Sequence, residues 1–153
     1  MPIELDASSL GQVGLGIFAK TAQLSSVKTR LAASIGKDEA EQLYHLSILA
    51  IEDLARALPS AIQPYWAIAE EHGLSYAQWQ NLPRFWTGDG GLGARFHQVY
   101  TKLLQSHAAA MLIGTDSPQL TPALLEDAQM YLKQNPKSIV IGPCSDGGFY
   151  LFA

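Results

Sequence analysis

AAAMLIGTDSPQLTP, residues 108–122, decides how the chain is read. Ala108 to Ile113 is an unbroken apolar run, the pattern of a strand covered on both faces in a parallel sheet. Gly114 ends the run, and Asp116 stands where that strand surfaces. Thr121 suits a helix N-cap and Pro122 the first helical position, where a missing N–H costs nothing. The helix is expected to reach about Gln134. A buried strand, a carboxylate at its tip and a helix straight after it form one unit of an α/β fold.

The same alternation extends in both directions. Upstream, Val13–Ala19 (VGLGIFA) and Tyr65–Ala69 (YWAIA) read as strands. Between them, Ala40, Leu43, Tyr44, Ile48, Ile51, Leu54, Ala55 and Leu58 fall largely on one helical face, predicting a helix over 38–58 that Pro59 closes. Residues 70–87 read as irregular, with a short helix near Tyr76–Asn81. Gly88 to Gly93 holds four glycines in six positions and reads as a loop. Ala94–Ser106 reads as a helix with Phe96, Val99, Tyr100 and Leu103 on its apolar side. Downstream, Ser138–Gly142 is a fourth strand and Gly148–Phe152 a fifth. The expectation is a single domain over residues 1–153, a three-layer α/β/α sandwich on a mostly parallel sheet. In such sheets ligands bind outside the carboxyl ends of the strands, and Asp116 lies there.

Composition narrows the function. With 48% hydrophobic and 16% charged residues the chain can build a core. Its net charge of −4 gives no global field for nucleic acid or an anionic membrane. Cys144 is the single cysteine, so there is neither an internal disulfide nor a zinc-type spacing. The N-terminal MPIELDASSLGQ lacks the basic start and apolar core of a signal peptide, and no apolar run is long enough to span a bilayer. A cytoplasmic protein is expected.

Three segments after strands carry chemistry. Lys20–Arg30 (KTAQLSSVKTR) concentrates three of the ten Lys and Arg residues, Lys20, Lys28 and Arg30, together with Thr29 and other hydroxyls. Cations beside exposed N–H groups make a phosphate site, although a solvated loop has the same composition. The Walker pattern GxxxxGK[ST] is absent. Gly114–Pro118 offers Asp116 either as a turn former or as an oxygen ligand for a hard divalent cation. Gly142–Gly148 offers Asp146 in an Asp-Gly-Gly sequence that is common in turns. Two strand-end aspartates can converge on one metal, balanced by the basic segment. The four histidines and Cys144 have no partner at a spacing that argues for catalysis, and no residue is assigned as general base.

These motifs, taken in order, resemble a bacterial family of glycosyltransferase-like proteins with a GT-A-like, nucleotide-diphospho-sugar transferase fold. The match runs through Phe18-Ala19-Lys20 with Val27-Lys28-Thr29-Arg30-Leu31, Gly91-Leu92-Gly93-Ala94-Arg95, Gly114-Thr115-Asp116-Ser117-Pro118-Gln119-Leu120, and Gly142-Pro143 with Asp146-Gly147-Gly148-Phe149-Tyr150-Leu151. The resemblance implies a nucleotide or nucleotide-sugar partner and a small-molecule acceptor. Lys20, Lys28 and Arg30 would contact phosphates, with Thr29 beside them. Gly91, Gly93 and Arg95 would line the nucleotide side. Asp116 would bind Mg²⁺ or Mn²⁺, and Asp146 would be a second ligand or a substrate contact. The expected activity is sugar transfer from a nucleotide-diphospho-sugar; nucleotidyl transfer to a phosphorylated small molecule and nucleotide binding without turnover are the alternatives. Ala22, Leu24 and Ser25 stand where the family carries proline and glycine. The family also continues beyond the Asp-Gly-Gly strand, which implies a C-terminally shortened copy and, through exposed sheet surface, self-association.

Overall fold

A computed structural model describes residues 12–153; the acidic N-terminal stretch, apart from Gln12, lies outside the described residues. The elements in chain order are β1 (Val13–Ala19), α1 (Thr29–Ile35), α2 (Lys37–Arg56), β2 (Ile62–Ile68), β3 (Arg84–Trp86), α3 (Leu92–Leu104), β4 (Ala109–Ile113), α4 (Pro122–Gln134), β5 (Ile141–Pro143) and β6 (Phe149–Phe152). They form one sheet of order β3-β2-β1-β4-β6-β5. The pairs β3–β2, β2–β1 and β1–β4 are parallel, whereas β6 runs antiparallel to both neighbours. The expected mostly parallel α/β fold is therefore present, with one reversed strand.

The alternation inside β1 explains the layers. Val13, Leu15, Ile17 and Ala19 point to one face, where they join Tyr44, Ile48 and Ile51 of α2 and Leu125, Ala128 and Leu132 of α4 in the larger core. Gly14 and Gly16 point to the other face, where Val99 and Leu103 of α3 pack with Tyr65, Ala67, Ala110 and Leu112. Helices thus cover both faces, and the central strand assigns its bulk to one and its space to the other. A Cβ on Gly16 would sit 2.9 Å from both Leu112 Cδ2 and Val99 Cγ1. Gly16→Val should therefore push α3 off the sheet and cost about 1–3 kcal/mol, the usual range for overpacking. Urea unfolding checks this, and a variant as stable as the parent would show that α3 is not seated as described.

The sequence pattern meets its match at most buried elements. β1 and α4 occur at the expected residues, and α2 and α3 end two residues before their expected limits. Four differences stand beside these matches. α1 was not expected: it has seven residues and none is buried, so no apolar stripe marks it, and it packs against α2. β3 was not expected either, because three residues with only Phe85 buried carry no periodicity. The irregular stretch before it holds two short 3₁₀ helices: Ala77–Trp79 falls where the short helix near Tyr76–Asn81 was expected, and Glu71–Ser75 was not expected. The fourth expected strand begins at Ile141 and not at Ser138, although Val140 already exchanges both backbone hydrogen bonds with Ala153 at 2.8 Å.

Candidate functional site

The strand order reverses at β1: β2 lies on one side of it and β4 on the other. A crevice opens at such a switch point, outside the carboxyl ends of the strands. Here it is a cleft of about 620 Å³, within the size range of small-molecule sites. Its walls come from the segments after four parallel strands. Lys20, Lys28, Thr29 and Arg30 follow β1, Ala69 follows β2, Thr87 follows β3, and Gly114, Thr115 and Asp116 follow β4. Phe18, Leu31 and Leu92 add apolar surface, Tyr44 enters from α2, and Arg95 from α3.

Of the residues expected from sequence, Lys20, Lys28, Thr29, Arg30, Arg95 and Asp116 line this cleft together. Gly91, Gly93 and Asp146 do not. Asp146 is exposed, and its Oδ1 accepts a hydrogen bond from the Gly148 N–H at 3.0 Å across a turn in which Gly147 has φ 89°. That is the turn-forming role that its Asp-Gly-Gly context allows, and the two aspartates do not share the cleft wall.

Asp116 and Lys28 face each other. Lys28 Nζ lies 2.8 Å from Asp116 Oδ1, with the lysine side chain 16% exposed and the aspartate 83% exposed. The lysine is held by its backbone. Lys28 is the one non-glycine residue with positive φ among the described residues, at φ 48°, ψ 43°, and its carbonyl accepts the Ala32 N–H at 2.9 Å to start α1. Non-glycine residues in this conformation cost of order 1 kcal/mol and concentrate at ligand sites. The ion pair itself is weak, since pairs open to solvent contribute about 0–1 kcal/mol. Asp116, the exposed partner, can be drawn away at little cost.

Arg95 lines the cleft and also holds its wall together. Its Nη1 donates to the Ala69 carbonyl at 2.7 Å and its Nε to the Gly90 carbonyl at 2.9 Å, and Nη1 also lies 3.4 Å from Thr87 Oγ1. Trp86 Nε1 donates to the same Ala69 carbonyl at 3.3 Å. The guanidinium therefore ties the loops after β2 and β3 to the glycine segment before α3. Its Nε and Nη1 are the atoms that build the wall.

The floor is set by residues that the motifs do not reveal. Tyr44 is 4% exposed, and its phenol donates to the Lys20 carbonyl and accepts the Lys20 N–H, both at 2.8 Å. Burial pushes this phenol up to about 12, against the lowering effect of hydrogen bonds with the Lys20 backbone and Thr115. It stays protonated at neutral pH and keeps its donor. Thr21 is fully buried: its N–H donates to Glu70 Oε2 at 2.8 Å, and its hydroxyl accepts Trp79 Nε1 at 3.1 Å. Glu70 Oε1 is buried without a hydrogen-bond partner among the described residues. Ala69 and Thr87 could have been found by looking directly after each strand. Tyr44 could have been flagged only as a phenol on an apolar helix face that must place its hydroxyl.

In a chain of net charge −4, this cleft gathers Lys20, Lys28, Arg30 and Arg95 against Asp116, the single lining carboxylate among the described residues. It favours an anion with several oxygens. Among the described residues no group of three or more His, Cys, Asp or Glu side chains comes together to hold a metal. One carboxylate nevertheless fits Mg²⁺-type binding, in which one or two protein oxygens act with water and substrate phosphates. No helix among the described residues is long and apolar enough to cross a membrane.

Comparison with known proteins agrees with this geometry at the level of fold. A solved structure from Desulfovibrio desulfuricans G20, described as a "putative nucleotide-diphospho-sugar transferase", superposes with a TM-score of 0.79 at 23% identity over 92% of this chain. The chain spans 62% of that protein's length. A structure of CMP:2-keto-3-deoxy-manno-octonic acid synthetase complexed with CTP superposes with a TM-score of 0.58 at 14% identity, over 84% of this chain and 50% of the other. No curated protein matches. A family model matches residues 51–153, which hold the β2-to-β6 part of the sheet, Arg95 and Asp116, and so the chain belongs to the bacterial family described as "uncharacterized protein conserved in bacteria (DUF2064)".

Proposed function

We propose that the cleft binds the diphosphate of a nucleotide-diphospho-sugar and that the chain carries the donor site of a glycosyltransferase-type enzyme. The observation behind this reading is the meeting of Lys20, Lys28 and Arg30 with Asp116 at the switch point of the sheet. In sugar transfer the bond from the sugar to the diphosphate breaks while a bond to the acceptor oxygen forms. Negative charge grows on the departing nucleoside diphosphate, and fixed cations at that position lower the barrier. Lys20, Lys28 and Arg30 supply that charge, and Arg95 keeps the wall rigid around it. A divalent cation, Mg²⁺ or Mn²⁺, would be held by Asp116 together with phosphate oxygens and would share the same charge.

A second reading is nucleotidyl transfer to a phosphorylated small molecule, favoured by the likeness in fold to a synthetase solved with CTP. The same cations would then stabilise departing pyrophosphate, so the released product separates the two: nucleoside diphosphate for sugar transfer, pyrophosphate for nucleotidyl transfer. The first test is a thermal-shift screen of nucleotides and nucleotide-sugars with and without Mn²⁺. A ligand at 100 times its Kd stabilises the native state by about 2.7 kcal/mol, which raises the Tm of a domain this size by several degrees. If no nucleotide at millimolar concentration shifts the transition, the assignment of the cleft fails.

A further inference from the structure

We propose that Tyr44 is a positioning residue for the phosphate site: its phenol fixes Lys20, and thereby aims one of the cleft's cations. The inference rests on the anion-binding reading of the cleft and goes beyond it, because Tyr44 belongs to none of the motifs.

Lys20 is the first residue past β1, where sheet pairing stops. The last ladder bond at this end runs from the Ala69 N–H to the Ala19 carbonyl at 2.9 Å. Both backbone groups of Lys20 are instead taken by one atom, the Tyr44 hydroxyl, at 2.8 Å each. The phenol thus does for Lys20 what a neighbouring strand does for the residues before it. Its own place is fixed, because Tyr44 is buried in the core face of α2. One hydroxyl therefore ties the end of β1 to α2. The next residue, Thr21, is held as tightly by Glu70 and Trp79. A segment with Ala22, Leu24 and Ser25 lacks the backbone stiffness that proline would give. Side chains from α2 and from the residues after β2 supply that order from outside the segment.

Inorganic pyrophosphate is the probe, since it reports on the cations whatever the nucleotide is. Tyr44→Phe keeps the ring in the core and deletes the hydroxyl. It should weaken pyrophosphate binding about tenfold, within the range of coupling between residues that share a contact. The loss should not add to that of Lys20→Met: the double variant should bind no more weakly than the worse single. With Lys28→Met, whose lysine is placed by its own backbone and by Asp116, the losses should multiply. A generally loosened fold would give the same behaviour with both lysines. Amide exchange supplies a ligand-free check: the Lys20 N–H should exchange slowly in the parent and fast in Tyr44→Phe. Parent-like pyrophosphate affinity in Tyr44→Phe, or losses that multiply with Lys20→Met, would overturn the assignment of Tyr44 alone. A parent protein that binds neither pyrophosphate nor any nucleotide would overturn the reading of the cleft and this inference with it.

Discussion

Asp116→Ala is expected to abolish the cation-dependent part of nucleotide-sugar binding while leaving the fold intact. Among the described residues Asp116 is the one carboxylate lining the cleft, so none of them replaces it as a ligand there. Loss of a sole protein ligand should weaken cation-dependent affinity by about 100-fold or more, each factor of ten being worth about 1.4 kcal/mol. Its side chain is 83% exposed, so stability should change by less than about 0.5 kcal/mol. The variant should also show an opposite effect without metal. Lys28, released from its partner at 2.8 Å, becomes free to meet a phosphate. Cation-free affinity should therefore hold or rise slightly. Calorimetry with and without Mn²⁺ reads both numbers. Equal Mn²⁺-dependent affinity in parent and variant would remove Asp116 from the metal site.

The fold was legible where burial is two-sided and continuous. Val13–Ala19 and Ala109–Ile113 have no surface alternation to confuse them, and the Thr121-Pro122 start located α4 to the residue. Legibility failed where an element is too short to show a period. β3 has one buried residue and α1 has none, so each exists through its contacts with β2 and α2, which no local pattern encodes. The reversed β6 escaped for a related reason: periodicity reports burial, and the direction of a strand depends on the length and course of the connection before it.

The site divides in the same way. Its cations and Asp116 were legible because strand ends in a parallel sheet face one rim, so charged residues placed there in sequence meet in space. Asp146 follows β5, which runs parallel to β4 because β6 is antiparallel to both, so its turn emerges at the same end of the sheet as Asp116; its side chain caps that turn and is not among those that line the cleft. Arg95 was placed correctly, but its hydrogen bonds to Ala69 and Gly90 depend on loops that meet only in the folded state. Tyr44 and Trp79 were hidden because an aromatic residue on an apolar face looks like core. Both are core, and both also hold the segment after β1 by their single polar atoms.

Trp79→Ala is the substitution expected to cost most stability. Trp79 is fully buried, its ring meets Trp66 edge-on at 5.0 Å between centroids, and its Nε1 donates to Thr21 Oγ1 at 3.1 Å. Truncating a buried tryptophan removes its transfer free energy and leaves a cavity, about 3–5 kcal/mol together. That is a large part of the 5–15 kcal/mol typical of a folded domain, and it corresponds to a fall in Tm of roughly 10 °C or more. Thr21 would also lose its hydroxyl partner where a Cβ on Gly73 would already collide with Thr21 Oγ1, so the site has no slack for rearrangement. Trp79→Phe separates the two contributions. It retains most of the ring packing and removes the N–H, costing about 1–2 kcal/mol for an unpaired buried hydroxyl and a smaller side chain. Its effect on the cleft should be the larger one in proportion, because Thr21 adjoins Lys20. Guanidinium unfolding of both variants, with pyrophosphate titration of Trp79→Phe, measures the split. A loss under about 1 kcal/mol in Trp79→Ala would mean that the tryptophan is not packed as described, and unchanged pyrophosphate affinity in Trp79→Phe would confine its role to the core.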